Sequence, residues 1–538
     1  MKNKNISLNE NLLILCMSML FCGVIAILLG KDIDWDLANY HYSNAFLFLH
    51  HHANQDLWPP SYVHIHFAPT ADLLSYFLIN YFSPLSATFI SGAIHGINIW
   101  LLFLIARLCL PNNAYNPVLA LMLALIGTYG AAGFTGIGNF KNDHLVTIFV
   151  LTFIYFQIKS LQHYSLKNST WIQCFLIGGL FLGIALGLKL TAASYIISAI
   201  TSFCCLNIAW RDKIKYIIGF GIACGVGFIL SSGYWLWTQW TQYHNPVFPF
   251  FNSIFHSPDY SSKVNLVYPF STTGNIFHKA FYYLLPNILE GKNLFDLRYF
   301  YLDALLIITF ITVVWHITIH KISVKLANTT IWLCCFMVLT HIIYQHFFYG
   351  LRYIMAVEML APLLIYLLTA YLISNTTTRN IVVTILFVSM IFSMSPDYGT
   401  RMTTYRNHDY FNVAMPAFVS QTPEATALIS YPEYAIYTEP RPLSYLTAFF
   451  PKQWHFVGIP FAHQLFHSFD RRNEAKTRAF IANKTGKFYL IASELHINEL
   501  YKAALNYNLI PAGNCDYIDN ERSRLLQQNI LICPVIKF

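Results

Sequence analysis

Three acidic residues stand close together after the first long apolar run, in Lys31-Asp-Ile-Asp-Trp-Asp-Leu-Ala-Asn-Tyr-His41. A carboxylate among Asp32, Asp34 and Asp36 can take a proton from a hydroxyl nucleophile, or help to hold a divalent cation. Tyr40 and His41 lie four and five residues beyond Asp36, close enough to share its surroundings. Acidic residues also simply mark the edge of a water-facing loop, and for a single Asp that is the better reading. The same loop holds His41, His50, His51, His52, His64 and His66. Imidazole is a common metal ligand, but these spacings match no standard metal motif, so packing or substrate hydrogen bonding is the favoured use. No metal is assigned, although a divalent cation is compatible with the carboxylates.

Other candidates come from separate stretches. Asn142-Asp143 stands where a later apolar run begins, and an Asp there is also an ordinary helix cap. Lys189, in Gly187-Leu-Lys-Leu-Thr-Ala192, separates two apolar runs. It can snorkel to lipid headgroups or meet a phosphate as a point charge. Arg352 starts another run, with Glu358 six residues on. A cation at a helix N-terminus opposes the macrodipole and calls for an anion: Glu358, an Asp or a lipid phosphate.

These residues are carried by a membrane protein. Of 538 residues 56% are hydrophobic and 11% charged, against roughly 25% charged in soluble domains. Apolar runs such as 11–30, 216–231 and 354–373 approach the length of about 20 residues that crosses hydrocarbon as a helix. The runs predict about eleven spans, near 11–30, 86–110, 116–133, 144–160, 171–188, 190–210, 214–236, 301–319, 329–347, 352–374 and 380–395. Residues 70–82 are apolar but too short. The first span follows Met1-Lys-Asn-Lys4 without a small-x-small cleavage site, and is read as an uncleaved helix.

With the N-terminus in the cytoplasm, every short inner loop carries Lys or Arg: Arg107; Lys159 and Lys167; Arg211, Lys213 and Lys215; Lys321 and Lys325; Arg379. This is the positive-inside pattern, so the net charge of +8 is no sign of nucleic-acid binding. Two long loops, 31–69 and 237–300, and a tail from 396 then lie outside, and the chain sits in the cytoplasmic (inner) membrane. The fold expected is an all-α polytopic membrane bundle over 1–395 with a small extracytoplasmic α/β domain over 396–538. Residues 427–430, 488–492 and 530–533 are its expected strands, and 494–507 its expected helix. Nine of the 11 cysteines lie within or beside apolar runs, as small hydrophobes do. Cys515 and Cys533 remain as a disulfide pair suited to an oxidising compartment.

On this topology Asp32/Asp34/Asp36, Lys141-Asn142-Asp143, Lys189, the loop 245–259 and Arg352 all fall at the outer side, where a bundle can gather them into one pocket. There is no Walker loop, dinucleotide fingerprint, zinc-spaced set or repeat.

Asp36-x-x-x-Tyr40-His41, Asn142-Asp143, Gly187-x-Lys189-x-Thr191, Asn245-Pro-Val-Phe-Pro249 with Phe250 and Asn252, and Arg352-Tyr353-x-x-x-x-Glu358, in this order and on one side, resemble the bacterial membrane glycosyltransferases of GT-C type over about residues 10–395. The resemblance implies an outer cavity for a polyprenyl-phosphate sugar, and transfer of that sugar, usually with inversion, to a glycan, lipid or protein acceptor. It implies Asp36, then Asp34, as the catalytic carboxylate, Arg352 and Lys189 at the donor phosphate, and Asp143 in support, with Asn142, Tyr40 and His41 also lining the substrate site. Competing readings are a transporter or flippase, another lipid-carrier enzyme such as an oligosaccharide polymerase or ligase, and a non-enzymatic scaffold. Few charges at mid-span and no visible repeat tell against a transporter. The tail resembles no soluble domain that would name the acceptor.

Overall fold

The computed structural model describes residues 8–52, 55–110, 116–166, 168–260, 300–318, 327–347, 351–393, 399–405, 409–431, 442–460 and 471–538. Lys167, Lys321, Lys325 and most of the expected outer loop 237–300 lie outside them.

Each expected span has its helix among the described residues: Leu8–Leu29, Pro84–Cys109, Asn116–Thr128, Asp143–Ser165, Thr170–Leu188, Leu190–Cys204, Trp210–Tyr243, Phe300–Thr318, Asn328–Phe347, Leu351–Leu372 and Thr376–Ser393. Six are long and apolar enough by themselves to cross a membrane, and the protein is a multi-pass integral membrane protein. Apolar side chains face outward: Leu28 is 70% exposed and Leu230 72%. That is a defect for a soluble helix and the normal state of a lipid-facing one.

The chain divides into two compact units, each described by itself. The first comprises 1–26, 91–233 and 267–398. Lipid tails are as apolar as Leu, so its helices gain by close backbone approach at small residues. Gly179, Gly183 and Gly187 form such a row on helix Thr170–Leu188. A Cβ at Gly183 would lie 2.1 Å from the Cys224 carbonyl oxygen, and one at Gly227 2.1 Å from that of Leu180. No larger residue fits either position without separating the helices.

The second unit comprises 27–90, 234–266 and 399–538. Strands β1 (Lys31–Asp32) and β2 (Arg401–Met402) pair antiparallel. This places the two ends of a long stretch side by side, with ten of the helices above between them along the chain. The six-stranded sheet contains β3 (Glu424–Tyr431), β4 (Gln453–Pro460), β5 (Lys487–Ser493), β6 (Leu509–Pro511), β7 (Asp516–Ile518) and β8 (Ile530–Lys537). Its order is β4-β3-β5-β8-β6, with β7 also on β8. β3 is parallel to β4 and β5, and β8 antiparallel to its neighbours. The expected tail strands are parts of β3, β5 and β8. The expected helix is a 3-10 turn, Glu494–His496, running into helix Ile497–Leu505. Leu428, Leu490, Leu500, Leu509 and Cys533 pack in one core, and Cys515–Cys533 is a disulfide.

The first long loop is built into this unit. Leu57 bridges to β4, with its N–H on the Phe456 carbonyl (2.8 Å) and its carbonyl taking the Gly458 N–H (2.7 Å). An otherwise open sheet edge is thereby covered. Lys31 is 1% exposed. Its ammonium group is paired with Glu521 and donates to the Tyr410 carbonyl at 2.7 Å. Arg522 Nε donates to the Ile33 carbonyl (3.1 Å) and Ser444 Oγ to that of Ala38 (3.1 Å).

Removing one partner of a buried pair leaves the other charge uncompensated, so Glu521→Ala should destabilise the protein by about 3–5 kcal/mol, read as a lowered thermal midpoint of the purified protein. In the native, unreduced protein Cys515 and Cys533 should resist alkylation, and Cys533→Ser should cost about 3 kcal/mol.

Candidate functional site

The sequence candidates fall in both units. Asp34, Asp36, Tyr40 and His41 belong to the second, and Asn142, Asp143, Lys189 and Arg352 to the first.

In the first unit three helix ends supply one charged cluster. Asn142 takes a left-handed backbone (φ 64°), which Asn tolerates better than most residues. It turns the chain so that Asp143 opens helix Asp143–Ser165. Asp143 is buried, and a carboxylate in the first turn suits the positive end of the helix dipole. Lys189, at the end of helix Thr170–Leu188, pairs with Asp143 Oδ1. Arg352 Nε lies 3.5 Å from Asp143 Oδ2. The anion that Arg352 required is therefore at least partly Asp143. Lys189 Nζ sits 4.8 Å from the centre of the Tyr353 ring and the Arg352 guanidinium 5.2 Å from it, the geometry of cation–π attraction. The Tyr353 carbonyl accepts the Tyr195 hydroxyl at 3.1 Å. Two cations and one carboxylate leave a net charge of +1 on the three side chains, while Lys189 and Arg352 keep 17% and 26% of their side chains exposed. Such a cluster can attract an anion and hold it by charge-assisted hydrogen bonds.

In the second unit Asp36 immediately precedes a π-helical turn, Leu37–His41. Such turns are rare and frequent at functional sites. Asp34 is partly buried. Its side chain accepts the Trp35 N–H at 2.6 Å, while its own N–H goes to Asp32 Oδ1 at 2.9 Å. His41 Nδ1 meets Asp72 Oδ1 at 2.6 Å, both groups buried. Asp72 was not singled out by sequence. It sits in the first turn of helix Thr70–Tyr81, where an acid looks like an ordinary helix start. Tyr40 stacks on His64 (ring centres 4.8 Å), and Trp35 and Phe67 meet His64 edge-on at 5.6 and 5.1 Å. Asp36 is thus followed by an aromatic wall.

The histidines are used mainly in packing and hydrogen bonding. Among the described residues no group of three or more His, Cys, Asp or Glu side chains is arranged to hold a metal ion. His66 lies against Phe248 and Tyr243, and His52 Nδ1 lies 3.2 Å from Asp56. In the loop 245–259, Asn245 and Asn252 organise backbone. Asn245 Nδ2 donates to the Phe250 carbonyl at 2.9 Å, and Asn252 Nδ2 to those of Ser257 and Tyr260 at 3.0 and 2.6 Å.

Burial pushes His66 down to about 3, with the charge of Lys476 adding to it. Burial pushes His64 down to about 4, reinforced by His41 and opposed by Asp36. Both rings are neutral when folded and take up protons near the usual 6.5 when unfolded. Their contribution is therefore complete above about pH 6.5 and is lost as pH falls toward 4 and 3. His52, raised by its hydrogen bond to Asp56, acts in the opposite sense and adds stability at low pH. Thermal midpoints of the wild type should fall on acidification below pH 6.5, and His66→Gln should flatten that dependence.

Residues 74–237 match the family model described as dolichyl-phosphate-mannose-protein mannosyltransferase. The stretch includes Asn142, Asp143 and Lys189. No curated protein matches the chain. Among solved structures it is similar to the crystal structure of ArnT from Cupriavidus metallidurans bound to undecaprenyl phosphate, with 9% identity, a TM-score of 0.46 and 98% of each chain covered. The family-model match bears out the resemblance to membrane glycosyltransferases of GT-C type.

Proposed function

We propose that this protein is a membrane glycosyltransferase that moves a sugar from a polyprenyl-phosphate donor to a glycan, lipid or protein acceptor outside the cytoplasm, with inversion. The observation that carries the reading is the Asp143–Lys189–Arg352 cluster. Two cations, held over one ring and by one buried carboxylate, stand at the ends of apolar helices, where the headgroup of a lipid would lie. The family-model match over 74–237 supports the same chemistry.

In this reading Lys189 and Arg352 meet the donor phosphate. As the glycosidic bond breaks, negative charge grows on the leaving phosphate oxygen, and fixed cations stabilise that state more than the ground state. Asp36 accepts the proton of the acceptor hydroxyl as its oxygen attacks the anomeric carbon, with Asp34 as the second choice. A single displacement with one base inverts the centre. Asn142 and Asp143 set the cations, and Tyr40 and His41 form the wall beside the base. The active side and the tail face away from the cytoplasm. An activated sugar arriving there on a lipid needs no nucleotide sugar on that side.

Transfer of radiolabelled sugar from a synthetic polyprenyl-phosphate donor by the purified protein tests this. Asp36→Asn should lower turnover by about 10³-fold. Lys189→Ala and Arg352→Ala should each lower it by about 10²-fold. Full activity of Asp36→Asn would remove Asp36 as the base. No turnover with any lipid donor, together with ion- or lipid-coupled flux in vesicles, would replace the enzyme by a transporter.

A further inference from the structure

Helix Leu351–Leu372 carries a carboxyl group at its most buried stretch. Glu358 is fully buried, as is every residue from Met355 to Ile365 around it. A polar group at such depth is costly unless something meets it. Among the described residues Glu358 is met by backbone rather than by a cation. Oε2 accepts the N–H groups of Ala132 and Gly133, each at 2.9 Å, at the start of the short helix Ala131–Thr135.

The seat for this carboxyl group is cut by glycines. A Cβ at Gly130 would stand 2.5 Å from Glu358 Cδ, one at Gly127 2.0 Å from the Met359 carbonyl oxygen, and one at Gly136 2.8 Å from Met355 Cε. Segment 127–136 therefore receives Met355–Met359 at backbone distance. It leads directly to Asn142 and Asp143 along the chain, and Glu358 lies six residues after Arg352.

We infer that Glu358 is a positioning residue. By locking its helix onto segment 127–136 it sets the depth at which Arg352 and Tyr353 face Asp143 and Lys189. A slip of one residue moves a helix by about 1.5 Å along its axis, enough to undo an Arg352–Asp143 approach of 3.5 Å. Two N–H groups aimed at one oxygen define that depth more sharply than apolar packing can. Glu358 touches no reacting atom in this scheme and acts through Arg352.

The ligand readout rests on the donor reading above, so the test has two arms. In the first, binding of polyprenyl phosphate to the purified full-length protein is measured. Glu358→Ala should weaken it by about 10²-fold, as misplacement by about 1 Å does in other sites. Gly130→Ala, which drives a methyl group into the carboxyl, should act likewise. Glu358→Gln, whose amide oxygen can accept the same two N–H groups, should stay within about fivefold of wild type.

The second arm needs no ligand. A double-mutant cycle of Asp143→Asn and Arg352→Gln, read in thermal midpoints, should show coupling in the wild-type background and none with Glu358→Ala. Wild-type affinity in folded Glu358→Ala, or undiminished coupling, overturns the inference. Should Glu358→Ala not fold, wild-type affinity or coupling in Gly130→Ala overturns it instead. A wild type that binds no polyprenyl phosphate sinks the donor reading, while loss of coupling still upholds the positioning role.

Discussion

A buried ammonium group cannot stand alone, and Lys31 is buried between its own loop and the tail. The partner that makes it tolerable, Glu521, comes from the far end of the chain. The segment carrying Asp34 and Asp36 lies between two residues of strand and a π-helical turn that runs on into helix Tyr42–Leu49. Its shape is set by the tail, through Glu521 on Lys31, Arg522 on Ile33 and Ser444 on Ala38. The α/β tail is thus more than an appendage, because its side chains hold residues on both sides of the carboxylates proposed for catalysis.

The first unit solves a different problem with different means. In an apolar medium polar groups have few partners, and two buried carboxyl groups of this unit each take specific ones. Asp143 receives two cations, Glu358 two backbone N–H groups, and glycines admit the backbones that supply them. The charged cluster and the glycine seat are successive parts of one arrangement, joined by the helix that begins at Leu351.

The helices were legible because crossing hydrocarbon demands apolar runs of fixed length, and such runs survive inspection by eye. The span expected over 116–133 is the instructive departure. Its helix ends at Thr128 and a short one restarts at Ala131, because the chain there bends around Glu358. Nothing local announces that bend except glycines. In the tail, β3, β5 and β8 were legible as apolar stretches. β4 was not, since Gln453 and His455 interrupt Trp454, Phe456 and Val457. β6 and β7 are three residues each, too short for any pattern. Asp143, Lys189 and Arg352 could be grouped from sequence because each marks a helix end. Lys31 with Glu521, or His41 with Asp72, could not, because sequence carries no trace of which distant residue a buried charge will choose.

The separation of 490 residues between Lys31 and Glu521 has a consequence for biosynthesis. A ribosome must add 490 residues after Lys31 before the residue that neutralises it exists. Until then the loop that carries Lys31 lacks its counter-charge. A product truncated before that point would insert its helices yet leave this loop unset. The setting of this loop thereby becomes a late event in synthesis.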